Sequence, residues 1–238
     1  MTILRQPTRA GVRDAAAKMA EILAPTPLFT HRFKGVEVAF KAESLQPMGA
    51  FKVRGAWHRL TALDEAARAR GVVAFSSGNH AQGVAWAAKR LGIAATIVMP
   101  ADAPRAKREG TLALGAEVVD YDRARESRET IAGRLAEARG ATLVPSFDDP
   151  WVIEGQGSAG IEAAAQMAAA GLPAPVRAIN GPALPGRVAA AVGLTLAGEH
   201  GEAAFRRMSQ TRRVCRPPLL DIARAREDMG FGGQPALP

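Results

Sequence analysis

Residues 72–92 read VVAFSSGNHAQGVAWAAKRLG, and the way this stretch folds decides the architecture. VVAFSS (72–77) is a short apolar run without alternation, the pattern of a strand covered on both faces. NHAQGVAWAAKRLG (79–92) is rich in helix formers and stops at a Gly, a usual helix end. The small residues between them let a strand turn directly into a helix, which is half of a βαβ unit.

The alternation continues outward. ATIVMP (95–100) reads as a strand, PRAKREGTLALG (104–115) as a helix closing on Gly, and EVVDYD (117–122) as a strand. RESRETIAGRLAEARG (125–140) reads as a helix with charged faces and ATLVPS (141–146) as a further strand. Strands separated by helical stretches of about 10–15 residues predict a parallel sheet. Right-handed crossovers then place the strand C-termini, where ligands bind, along one edge. Upstream lie a helix over about 9–23, a turn APTPLF (24–29) and a strand VEVAFKAES (36–44). Downstream, DDPWVIEGQGSAGIEAAAQMAAAG (148–171) leads from a loop into a long Ala-rich helix, and VRAIN (176–180) is strand-like. Beyond Glu202 no strand pattern stands out.

Composition narrows the class. The 238 residues are 47% hydrophobic and 23% charged, an ordinary balance for a globular protein. No apolar run reaches the ~20 residues that a spanning helix needs. A single cysteine, Cys215, excludes an internal disulfide framework and leads us to expect a reducing, cytoplasmic setting. The net charge of +8 raises nucleic acid as a partner. Aromatics make up only 5% of the chain, which gives little for stacking on single strands.

SSGNHAQG (76–83) is a candidate anion site. It opens a helix, so outward-facing N–H groups and the positive dipole end can hold a carboxylate or phosphate, with donors from Ser76, Ser77, Asn79 and His80. The alternative is simple helix capping, since Ser and Asn are favoured there whatever the function. GQGSAG (155–160) matches G-x-G-x-x-G, but no strand runs into it and no acidic residue follows about twenty positions on. Close helix packing is the better reading of those glycines.

Lys52, in SLQPMGAFKVRGA (44–56), is one of only six lysines against twenty-five arginines. Arg cannot replace an amine that must lose its proton and attack a carbonyl. Burial beside Phe51 and Val53 would lower its pKa toward that use. The other lysines (Lys18, Lys34, Lys41, Lys89, Lys107) have helix-surface or strand-edge surroundings that suggest no special chemistry.

SLQPMGAFKVRGA followed by SSGNHAQGVAWAAKRLG resembles the threonine dehydratase and serine racemase group of pyridoxal-phosphate enzymes, with the fold of the tryptophan synthase β chain. APTPL, KREGTLALGAEVV and FDDPWVIEGQGSAGIE extend the likeness over roughly residues 20 to 172. The resemblance implies an α/β protein of two open parallel-sheet domains, the larger one incomplete. Residues 1–48 and 145–185 would form the larger cofactor domain, 49–144 a small mobile domain, and 186–238 an atypical C-terminal segment. Lys52 would hold pyridoxal phosphate as a Schiff base and move the α proton. Ser77 would be an acid/base on the opposite face, Phe51 would pack near the pyridine ring, and Asn79 would bond the cofactor's 3′ oxygen. Ser76, Ser77, Gly78, Asn79 and His80 would hold the substrate carboxylate. Asn180, Gly181, Ala183 and Leu184 would occupy the place of the phosphate loop. No metal site is implied at a matched position.

The implied reaction is dehydration and deamination of a hydroxy amino acid such as L-threonine or L-serine to a 2-oxo acid and ammonia. Serine racemase and hydroxyaspartate dehydratase chemistry fit the same residues, and a homodimer is expected. The chain departs from the family pattern at two places. The usual Thr-Gly-Ser-Phe-Lys reads Met48-Gly49-Ala50-Phe51-Lys52, and the Gly-rich phosphate loop reads NGPALPG (180–186), where Pro182 and Pro185 offer no N–H. The change of pattern near residue 176 leads to the expectation of a shifted frame or truncation there. A catalytically impaired relative and a basic nucleic-acid module are the other classes left open.

Overall fold

The structure, a computed structural model, describes residues 5–33 and 36–172. Helix α1 (Arg9–Ala20) starts at Thr8, whose hydroxyl accepts from the Gly11 amide. Strands β1 (Leu28–Phe33) and β2 (Val36–Lys41) follow and pair antiparallel, with Leu28 opposite Lys41. Two 3₁₀ turns (Glu43–Leu45 and Pro47–Gly49) lead into α2 (Lys52–Thr61) and α3 (Glu65–Arg70). Then come β3 (Val72–Phe75), α4 (Asn79–Leu91), β4 (Ala95–Pro100), α5 (Arg105–Ala113), β5 (Glu117–Tyr121), α6 (Arg128–Arg139), β6 (Thr142–Leu143) and α7 (Pro150–Ala169). The βαβ run expected from the sequence is present. The helix stops at Gly92 and Gly140 are left-handed C-caps, with φ of 66° and 60°, a conformation that glycine adopts without a Cβ penalty.

Two local expectations are corrected. The segment read as a turn over 24–29 gives its last residues to β1, so the N-terminal region holds an antiparallel hairpin rather than one strand. The strand read over 141–146 pairs only at Thr142 and Leu143.

The four-stranded sheet is parallel throughout, in the order β5-β4-β3-β6. Its alternate residues enter two cores, which explains the continuous apolar runs. Val72, Ala74, Ile97 and Met99 pack with Val84, Ala85 and Ala88 of α4 and with Val53, Ala56 and Leu60 of α2. On the opposite face Val73, Phe75, Val98 and Tyr121 pack with Ala132 and Ala136 of α6. The chain proceeds from β3 outward to β4 and β5, then returns to place β6 on the other side of β3. That reversal opens a crevice at the C-terminal ends of β3 and β6, the point where open α/β sheets bind ligands.

Helix α7 packs across α1 and α2. It begins at Asp149, whose side chain accepts from the Val152 amide, with Pro150 in the first turn, where a missing N–H costs nothing. The GQGSAG stretch lies inside α7, as helix packing requires. A Cβ on Gly155 would stand 2.5 Å from Gly55 Cα and 2.6 Å from the Arg54 carbonyl oxygen. Beside that contact Arg54 is wholly buried, and it binds Glu43 through Nε (2.7 Å) and Nη2 (2.8 Å) and Glu162 through Nη2 (2.9 Å). Among the described residues no helix is long and apolar enough to cross a membrane.

Candidate active site

Three elements meet in the crevice at the end of β3. The chain leaves the sheet after Phe75, and the Ser76 amide makes a last bond to the Val98 carbonyl at 3.1 Å. The Ser76 hydroxyl accepts from the Gly78 amide at 3.2 Å. Gly78 is the N-cap of α4 and supplies no side-chain cap, so Ser and Asn do not serve here as ordinary caps. The first-turn amides of α4, those of Asn79, His80 and Ala81, have no acceptor within the helix and point along the positive end of its dipole. Ser76, Ser77 and Gly78 are half-buried and Asn79 is exposed. The Ser76–Asn79 donors of the expected anion site thus lie at one helix start, whereas the His80 side chain is buried on the Val144 carbonyl and is not available as an anion donor.

Lys52 reaches this crevice from α2. Met48 and Gly49 both take left-handed conformations (φ 68° and 66°), Ala50 is extended, and the helix then begins at Lys52. The lysine Nζ donates to the Ser146 carbonyl at 3.0 Å and lies 5.2 Å from the centre of the Phe51 ring. Burial strips water from the amine and lowers its pKa from 10.5 to about 8. An amine held near that value offers a useful neutral fraction close to physiological pH.

His80 anchors beside it. The ring is buried, and its Nε2 lies 3.0 Å from the Val144 carbonyl, which can only accept, so Nε2 carries the proton. Burial lowers the His80 pKa to about 4 against the effect of that hydrogen bond, and the charge of Lys52 lowers it further. The imidazole is therefore neutral. These two contacts explain the short β6: the carbonyls of Val144 and Ser146 are taken by side chains of α4 and α2 rather than by a neighbouring strand.

The backbones of α2 and α4 approach closely at this point. A Cβ on Gly83 would stand 3.1 Å from the carbonyl carbon and oxygen of Lys52. The small residue thus makes room for the lysine's helix. Phe51 and Lys52 open α2, which packs on α4, the helix that the Ser76–His80 turn opens, and the Lys52 charge acts on His80, whereas Asn180, Gly181, Ala183 and Leu184 lie outside the described residues. Sequence reasoning missed Lys107, on α5, whose Nζ donates to Asn79 Oδ1 at 2.6 Å and to Gln82 Oε1 at 3.1 Å. The scarcity of lysine that singled out Lys52 applied equally to Lys107.

Comparison with known proteins agrees with this geometry. An L-threo-3-hydroxyaspartate ammonia-lyase from Pseudomonas sp is 53% identical over 155 residues, which are 63% of this chain and 49% of that protein. Maize serine racemase superposes with a TM-score of 0.73 at 34% identity, over 81% of this chain and 58% of that one. A threonine deaminase from T.th. superposes with a TM-score of 0.72 at 40% identity, over 82% and 63% respectively. The chain spans about half the length of the curated relatives it matches first. The family described as "Pyridoxal-phosphate dependent enzyme" matches residues 19–211, a span that continues past the change of pattern near residue 176. With a desolvated lysine and an uncapped helix start meeting at the sheet's switch point, and with that match over most of its length, the chain belongs to the pyridoxal-phosphate-dependent enzymes.

Proposed function

We propose that the chain carries the reacting lysine of an ammonia-lyase that converts a hydroxy amino acid, such as L-threonine or L-serine, to a 2-oxo acid and ammonia. The observation that carries this reading is Lys52: a half-buried amine with a pKa of about 8, docked on the Ser146 carbonyl beside an uncapped helix start. Pyridoxal phosphate, when bound, supplies an electron sink for the bonds at the substrate's α carbon. The residues present fit that group, since an amine that can lose its proton is what covalent attachment to a carbonyl requires.

Lys52 Nζ would hold the cofactor and would serve as the base for the substrate's α proton. The Ser76–His80 backbone, at the positive end of the α4 dipole, would bind the substrate carboxylate and align the α carbon with that amine. Phe51 would lie against the cofactor ring, and Asn79 would bond its ring oxygen. Ser77 stands as acid or base on the face opposite Lys52. The buried neutral imidazole of His80 fixes the Val144–Ser146 segment on which the lysine rests. Asn180, Gly181, Ala183 and Leu184 would contact the phosphate, and residues 49–144 would close over the substrate. A homodimer and a cytoplasmic setting complete the reading.

Two neighbouring readings use the same residues. Hydroxyaspartate is favoured as a substrate by the 53% identity to the Pseudomonas protein, and racemisation by the likeness to maize serine racemase together with Ser77. Adding pyridoxal phosphate to the purified chain and following visible absorbance tests the core of the proposal. A band that disappears in Lys52→Ala is expected, and oxo-acid release from L-threonine, L-serine and L-threo-3-hydroxyaspartate then ranks the substrates. No band in the unaltered chain, or one that survives in Lys52→Ala, would refute the assignment.

A further inference from the structure

Lys107 takes no part in the chemistry assigned above, yet it grips the first turn of α4. Its Nζ bridges Asn79 Oδ1 at 2.6 Å and Gln82 Oε1 at 3.1 Å. Those two amides are three residues apart and so share one helix face. On α5, Gly110 lies three residues beyond Lys107 on the same face and makes room for the contact. A Cβ there would collide with Gln82 Nε2. Gln82 is buried, so the clamp has a fixed end and an exposed end, Asn79, at the crevice.

The chemistry of the clamp sets a direction. An ammonium has three donors and no acceptor, so both amides must turn their oxygens toward it. A free asparagine amide can offer either its oxygen or its nitrogen to a ligand. We propose that Lys107 is a positioning residue that locks the flip of the Asn79 amide, so that Nδ2–H is the group presented in the crevice and the site selects an oxygen acceptor. Under the function proposed above, on which only this last identification rests, the acceptor is the ring oxygen of pyridoxal phosphate.

The test uses the full chain and reads the amide separately from the cofactor. In ¹H–¹⁵N spectra the Asn79 side-chain NH₂ gives two proton resonances on one nitrogen, and their positions report the hydrogen bonds of that amide. They should shift in Lys107→Met and stay close to their unaltered positions in Lys107→Arg, which keeps donors. Titration with pyridoxal phosphate should show roughly tenfold weaker binding in Lys107→Met, the size of one charge-assisted hydrogen bond, and no further loss when Asn79 is already Ala. Unchanged Asn79 resonances in Lys107→Met would overturn the clamp. So would an equal loss of affinity in the Asn79→Ala background, because Lys107 would then act through its charge alone. If the amide responds as expected while the unaltered chain takes up no pyridoxal phosphate, the clamp stands and the cofactor reading falls.

Discussion

Gly155→Ala separates packing from propensity at the place where α7 supports the helix of Lys52. On propensity alone, alanine in the middle of α7 would gain about 1 kcal/mol. The structure predicts the opposite sign. The new Cβ would meet Gly55 Cα at 2.5 Å and the Arg54 carbonyl at 2.6 Å, both backbone atoms that cannot swing away. Ordinary contact begins at 3.4 Å, so α2 and α7 must part by roughly 0.9 Å, on the scale of overpacking that costs ~1–3 kcal/mol. Separation would also strip packing from the wholly buried Val53 and Val152. We expect a net loss of about 2 kcal/mol, which for a chain of this size is a fall in Tm of about 4–8 °C.

Gly133→Ala in α6 is the control. A Cβ there meets nothing within 4 Å, so the propensity gain should appear as a rise of about 2–4 °C. Thermal unfolding followed by circular dichroism reads both variants. Because α2 begins at Lys52, the same displacement should weaken Lys52-dependent activity by up to ~100-fold, the cost of misplacing a reacting group by about 1 Å. A Tm for Gly155→Ala equal to or above that of the unaltered chain would refute the contact between the helices.

Three further outcomes follow from the buried groups. The folded state lowers Lys52 from 10.5 to about 8, so between those values the unfolded chain holds more protons and stability rises with pH, while below pH 8 the full penalty of about 3 kcal/mol stands. Lys52→Met should therefore gain about 2 kcal/mol in urea unfolding at pH 7, after its lost hydrogen bond, and this advantage should vanish near pH 10.5; an equal gain at both would count against a buried ammonium. His80 titrates in the folded chain at about 4 against an ordinary 6.5, so its contribution is present above pH 6.5 and lost as pH falls through 4, about 3 kcal/mol in all. His80→Gln should flatten that acid limb, and an unaltered limb would show that His80 is not buried as a neutral ring. Arg54→Met leaves Glu43 and Glu162 without their shared guanidinium and should cost about 3–5 kcal/mol by urea unfolding, with a loss under about 1 kcal/mol contradicting the network.

The parts legible in the sequence are those where one residue type has one physical use. Apolar runs such as ATIVMP mark a doubly covered strand because both faces are filled, and Gly92 and Gly140 mark helix ends because left-handed φ favours them. Strand β1 was hidden because the residues joining it to β2 are Lys34 and Gly35, not the Asn-Gly that signals a two-residue hairpin. The early end of β6 is signalled by Pro145 in ATLVPS, which cannot donate to a ladder. Only the tertiary fold shows that His80 and Lys52 claim the carbonyls of Val144 and Ser146. Within the site, Lys52 and the Ser76–His80 turn were legible, being local. The link from Lys107 to Asn79 spans two helices, and the spacing along either one does not reveal it.

The position of Lys52 depends on contacts that are mostly made by absence of side chain. Gly83 of α4 lies against its carbonyl group, and Gly55 meets Gly155 of α7 three residues along the same helix. The amine itself rests on a carbonyl left over where the sheet stops pairing. Each contact comes from a different element, so the lysine's helix is fixed relative to the sheet edge, α4 and α7 at once. This explains why a rare lysine here is surrounded by small residues: a larger neighbour on either side would move the helix start, and with it the amine, away from the α4 amides. The two lysines of the crevice then divide by chemistry. Under the proposed function Lys52 must be able to lose its proton, which arginine cannot do, whereas in the proposed clamp Lys107 must only donate, which arginine can.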